Sequence, residues 1–93
     1  MYTDSFTDYL KNDKKASANT VEAYRRDIDG FRKYMEERGS SDLAVAVSTD
    51  ITGYMLNLRT EGKSASTINR KMASLRAFYS FLAERGYVRS NPA

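Results

Sequence analysis

Apolar residues recur at steps of three and four along most of this chain, and no stretch of useful length alternates apolar and polar residues as a strand would. The pattern predicts four amphipathic helices. The first spans about Thr3 to Asn12 and faces Phe6, Tyr9 and Leu10 inward. The second spans about Asn19 to Arg38, with Val21, Tyr24, Ile28, Phe31 and Met35 on one side. The third, about Thr49 to Thr60, carries Ile51, Tyr54, Met55 and Leu58. The fourth, about Ser66 to Arg85, carries Ile68, Met72, Leu75, Tyr79 and Leu82, widened by Phe78 and Phe81. Gly39, Gly62 and Gly86 each follow a helical pattern, where a left-handed residue closes the last turn. Arg38 and Arg85 stand in last turns, where a cation meets the negative end of the helix dipole. Leu43 to Val47 is the one β-like stretch and is read as part of a loop from Ser40 to Ser48.

The second and fourth helices repeat each other at a fixed offset of 47 residues. Ser17 matches Ser64, Ala18 matches Ala65, Thr20 matches Thr67, Phe31 matches Phe78, and Glu37-Arg38-Gly39 matches Glu84-Arg85-Gly86. One unit is used twice: a hydroxyl cap, a long amphipathic helix and a glycine stop. Each long helix follows a shorter one, so the fold class is all-α, a compact bundle of four main helices arranged as two helical hairpins. Gly30 and Gly53 fall inside helices, where glycine costs about 1 kcal/mol against alanine. Close helix crossing is the favoured reason, ahead of a hinge.

Composition narrows the chemistry. The 93 residues contain neither cysteine nor histidine. Disulfides and thiolate metal sites are thereby excluded, and the commonest general base and metal ligand is missing. The chain is therefore read as a non-catalytic domain with no metal and no cofactor. No apolar run approaches the ~20 residues of a membrane span and no signal peptide is visible, so a cytoplasmic location without membrane contact is expected. Charge is uneven. Residues 1–50 hold eight basic and ten acidic residues, hence −2, whereas residues 51–93 hold seven basic residues against Glu61 and Glu84, hence +5. Lys63, Arg70, Lys71 and Arg76 lie between those two glutamates with no acid among them. Such a one-signed stretch fits an anionic partner such as nucleic acid, or simply a solvated basic face.

The run from Ser17 through Thr20, Val21 and Tyr24 to Asp27-Ile28, continued by Phe31 and Tyr34, resembles the opening of the second helix in tyrosine recombinases of the phage-integrase or Xer type. The run Ser64 to Tyr79 resembles that family's fourth helix at Arg70, Leu75, Arg76, Phe78 and Tyr79, with Met72 in place of the usual leucine and Ala73 in place of a frequent serine. Asn91-Pro92-Ala93 resembles the start of the linker to a catalytic domain. The resemblance implies a SAM-like core-binding domain over residues 1–90, with residues 91–93 beginning the linker. It further implies that this domain grips duplex DNA as one half of a clamp during integration and recombination. The partners would be double-stranded DNA, the catalytic domain of the same parent chain and other recombinase protomers on the DNA. The catalytic set would lie in the other domain. With Met1 as the start, no arm-binding domain would precede this one, as in the simpler two-domain recombinases.

The resemblance also implies the contact surface, the N-terminal halves of the second and fourth helices. Asn19, Thr20 and Thr67 carry over near the phosphates, the threonines either as hydroxyl donors or as helix caps. Tyr24 carries over near the DNA backbone, although it also lies on the core stripe. One of Arg25 and Arg26 is expected to face DNA, Arg25 being taken as the contact residue, and pairing with Asp27 and Asp29 at the surface is the rival role. Lys63, Ser66, Asn69, Arg70 and Lys71 cluster at the fourth helix's start, and Ser66, Asn69 and Arg70 share a face. Arginine and asparagine there can read base edges, although phosphate takes half or more of protein–DNA hydrogen bonds. Arg76 either reaches a phosphate or braces the bundle, and Lys14 and Lys15 add attraction before the second helix. None of the seven tyrosines is read as a nucleophile, because no activating constellation accompanies them. The competing function is a helical protein-interaction module without nucleic-acid binding.

Overall fold

The computed structural model describes residues 2–93; Met1, and with it the expectation about the chain's start, lies outside them. All four expected helices form, with ends displaced by one residue at most: α1 Tyr2–Asn12, α2 Ala18–Glu37, α3 Ser48–Thr60 and α4 Ala65–Glu84. No strand occurs among the described residues. The long helices begin one residue earlier than expected because Ser17 and Ser64 are the caps. Each has an extended backbone, and its side chain accepts the N–H of the residue three positions on.

The glycine stops act as expected. Gly39, Gly62 and Gly86 have φ of +88°, +87° and +78°. In each case the glycine N–H and the next N–H bond back to the second-last and third-last helical carbonyls: Gly39 to Glu36 and Ser40 to Met35, Gly62 to Arg59 and Lys63 to Leu58, Gly86 to Ala83 and Tyr87 to Leu82.

The expected inward stripes form the core. Phe31, Ile28, Leu75, Phe78, Tyr79 and Leu82 are fully buried, and Phe6, Val21, Met35, Ile51, Tyr54, Leu58, Ile68, Met72 and Phe81 nearly so. Tyr9, Tyr24 and Met55 are half-buried at its rim. α2 packs on α1 and α4, and α3 packs on α4 and α2, so the two hairpins meet along α2 and α4. They meet at equivalent positions of the repeat. The Ser74 hydroxyl donates to Asp27 at 2.7 Å, and these residues are 47 apart.

Gly30 and Gly53 serve a reciprocal crossing. A Cβ on Gly30 would lie 2.9 Å from the Tyr54 hydroxyl, and one on Gly53 would lie 2.6 Å from the Tyr34 hydroxyl. Each of α2 and α3 thus makes room for the other's tyrosine. Burial, with Asp27 and Glu61 nearby, pushes the Tyr54 phenol up to about 12, so it stays neutral at physiological pH.

The loop between the hairpins is more ordered than a bare loop. Its β-like stretch forms a 3₁₀ turn, Leu43–Val45, which begins where Asp42 accepts the Ala44 N–H. Leu43 is buried, and its carbonyl accepts the Tyr79 hydroxyl at 2.7 Å.

Candidate nucleic-acid interface

The starts of α2 and α4 are built alike. Ser17 Oγ accepts the Thr20 N–H at 3.2 Å and donates to Thr20 Oγ1 at 3.0 Å. Ser64 and Thr67 repeat the pair at 3.2 and 3.1 Å. The serines therefore do the capping. Each threonine oxygen is held by its serine, which leaves the threonine's own proton for an outside acceptor. Asn19 and Ser66, equivalent in the repeat, are exposed beside them, as is Asn69.

Between α2 and α4 runs a groove of about 260 Å³ lined by Thr20, Ala23, Tyr24, Asp27, Arg70, Ala73 and Ser74. Tyr24 stands half-buried on its wall, edge-on to Phe6 with ring centroids 5.7 Å apart. Its packing and its place at the groove are thus compatible.

The floor is Asp27, only 1% exposed. Surface pairing with Asp27 was the rival role for the neighbouring arginines, and the structure removes it. The carboxylate points across the bundle to α4, where Arg70 Nη2 lies 3.1 Å and Lys71 Nζ 3.4 Å from Oδ1, and Ser74 Oγ donates to Oδ2. Asp29 does pair at the surface, with Arg32 at 3.4 Å. A signal for Asp27 was present: Thr20, Tyr24, Asp27 and Phe31 are spaced four, three and four residues apart, which places the acid on the inward stripe.

The basic residues separate accordingly. The Arg70 side chain is 49% exposed and ion-pairs with Asp27 through one nitrogen. Lys71 is only 15% exposed and serves chiefly as a second counter-ion to Asp27. Arg25 is tied to α1, its Nη2 reaching Asp4 Oδ1 at 3.2 Å and Thr7 Oγ1 at 3.0 Å. Arg26 is exposed and makes no ion pair among the described residues. Lys63 is exposed and shares a shallow depression with Lys33 and Lys71; Lys33 is a neighbour that the sequence reading did not single out. Arg76 is exposed, and its backbone carbonyl accepts the Asn91 amide at 3.0 Å. Asn91 also donates to Ser80 Oγ at 3.0 Å, which fastens the last residues to α4.

Lys15 is exposed and has φ of +52°, the only non-glycine in that region among the described residues. An L-residue there costs roughly 1–2 kcal/mol. Lys15→Gly is therefore expected to stabilise the fold by roughly 0.5–1 kcal/mol in chemical denaturation, while weakening any attraction for an anionic partner. An unchanged or lower stability would show that the left-handed lysine is not strained.

Among the described residues no group of acids could hold a metal ion, and no helix is long and apolar enough to cross a membrane. Residues 3–86 match the family described as phage integrase, N-terminal SAM-like domain. The chain is 36% identical over 92 residues to tyrosine recombinase XerC of Oceanobacillus iheyensis, covering 99% of this chain and 30% of that protein. It is 38% identical over 90 residues to tyrosine recombinase XerD of Listeria monocytogenes, covering 96% of this chain and 30% of that protein. It is 34% identical over 87 residues to tyrosine recombinase XerC of Listeria welshimeri, covering 94% and 29%. The chain thus spans about 30% of the length of the curated relatives it matches. No solved structure matches it.

Proposed function

As this chain belongs to the phage integrase N-terminal SAM-like domain family, we propose that it grips duplex DNA as one half of a clamp, within a parent protein that is a tyrosine recombinase. The catalytic domain of that parent chain closes the other side, residues 91–93 begin the linker to it, and further protomers assemble on the same DNA. The domain itself performs no strand chemistry. A cytoplasmic location follows from this role.

One observation carries the proposal: the groove lined jointly by Thr20 of α2 and Arg70 of α4. A phosphate seated there meets a free hydroxyl proton from one helix and a guanidinium from the other. The first turns of both helices add outward N–H groups and the positive end of the dipole. Asn19, Ser66, Thr67 and Asn69 extend the same surface, and Lys15, Lys63 and Arg76 supply charge at its margins. Of the adjacent arginines, Arg26 is the better placed for DNA, because Arg25 already holds α1. Lys71 contributes field more than contact.

The test is titration of a labelled short duplex at several salt concentrations. Half a clamp is expected to bind in the nonspecific range, on the order of 10⁻⁴–10⁻⁶ M. About four phosphate contacts release counter-ions to give a log–log slope near −3.6. Absence of binding at low salt, or affinity indifferent to salt, would favour a protein-interaction module instead.

A further inference from the structure

We infer that Asp27 is a positioning residue for DNA binding: a buried carboxylate that aims Arg70 into the groove. This rests on the DNA-gripping reading above. A buried carboxylate needs partners, because leaving one unpaired in the interior is strongly unfavourable. An apolar residue at the same helix crossing would avoid that cost altogether, so the acid calls for a reason other than packing.

Its surroundings supply one. Oδ2 is fixed by Ser74 at 2.7 Å, and Oδ1 faces Arg70 at 3.1 Å and Lys71 at 3.4 Å. With both oxygens engaged and the residue 1% exposed, the carboxylate has one orientation to offer. Arg70 is a long side chain that would otherwise sample many rotamers. Ion-paired to that carboxylate at 3.1 Å, it is kept at the groove where Thr20 and Tyr24 stand. Ordering it before DNA arrives lowers the entropy lost on binding. Two cations against one anion leave the cluster net positive, so the acid orients Arg70 without repelling a phosphate outright.

Positioning and plain charge predict opposite signs. Asp27→Asn removes a negative charge, and by charge alone it raises affinity for DNA. Asp29→Asn, on the same helix but away from Arg70, is the charge-only control and is expected to raise affinity slightly. If Asp27 positions Arg70, Asp27→Asn instead weakens duplex binding by roughly the factor lost in Arg70→Ala, about tenfold. The double variant is then no weaker than either single one, since both changes remove the same contact. Additive losses, or tighter binding by Asp27→Asn, overturn the inference while leaving DNA binding intact. Failure of the unaltered chain to bind duplex overturns both readings together.

A second measurement avoids any dependence on the variants' folding. In the unaltered chain, nuclear magnetic resonance of the arginine side chains should show slow guanidinium rotation for Arg70 and fast averaging for Arg26 and Arg76. A freely averaging Arg70 overturns the inference even if Asp27→Asn does not fold.

Discussion

Replacing Phe6 by alanine is expected to cost about 3–5 kcal/mol, the usual range for deleting a buried aromatic ring. That is a large share of the roughly 5–15 kcal/mol that holds a domain together. Phe6 is 1% exposed and is the hub of an aromatic cluster: its ring centroid lies 5.5 Å from Phe78, 5.4 Å from Phe81, 5.7 Å from Tyr24 and 6.4 Å from Tyr9. α1 has 11 residues, a length at which an isolated helix is marginal in water. Its order therefore comes from docking, and Phe6 makes most of the dock. Further ties are Leu10, the Tyr9 ring 4.9 Å from Phe81, the Tyr2–Tyr87 contact and the Arg25 bonds to Asp4 and Thr7. In Phe6→Ala, amides of α1 should exchange with solvent much faster than those around Ile28, Phe31 and Leu75. Tyr87→Ala provides the contrast. Tyr87 is 47% exposed and packs on Tyr2 of α1 with centroids 5.1 Å apart, so its loss should cost under about 1 kcal/mol. Equal losses from the two substitutions in chemical denaturation would mean that α1 is not held in this way.

Arg70→Ala is expected to weaken duplex binding roughly tenfold, and Arg85→Ala less than about twofold. The two arginines share α4, but their surroundings differ. Arg70 opens onto the groove beside Thr20. Arg85 sits at the far end, 4.8 Å from the centroid of Phe81 and 4.0 Å from an Asp13 carboxylate oxygen, turned back onto α1. If Arg70 reads a base edge, its loss should also flatten the preference among duplex sequences. If it touches phosphate alone, the loss should be uniform across sequences and should lower the salt slope by about one. Arg70→Ala should also reduce stability modestly, because Asp27 then relies on Lys71 and Ser74 alone. Both proteins must therefore be compared well below their melting temperatures. Equal effects of the two substitutions on binding would place DNA on a different face.

The helices and their ends could be read from the sequence because the interactions that set them are local. A serine cap bonds a residue three positions on, a glycine closes the turn just behind it, and an inward stripe follows from spacings of three and four. That is why Ser17, Ser64, Gly39, Gly62 and Gly86 stand where the pattern places them, and why the offset of 47 announces two like halves. What the residues of the proposed interface do was decided by contacts between segments far apart in the chain. Asp27 looked like a surface partner of its neighbours until folding brought it to Arg70, Lys71 and Ser74, 43, 44 and 47 residues away. Arg25 and Arg26 are adjacent and chemically identical, and only the position of α1, 18 to 21 residues upstream, ties down the first of them. The 3₁₀ turn at Leu43 depends on a hydroxyl 36 residues further on. Local spacing tells which side of a helix a residue occupies; which charges face one another across the groove is fixed only when the two hairpins pack.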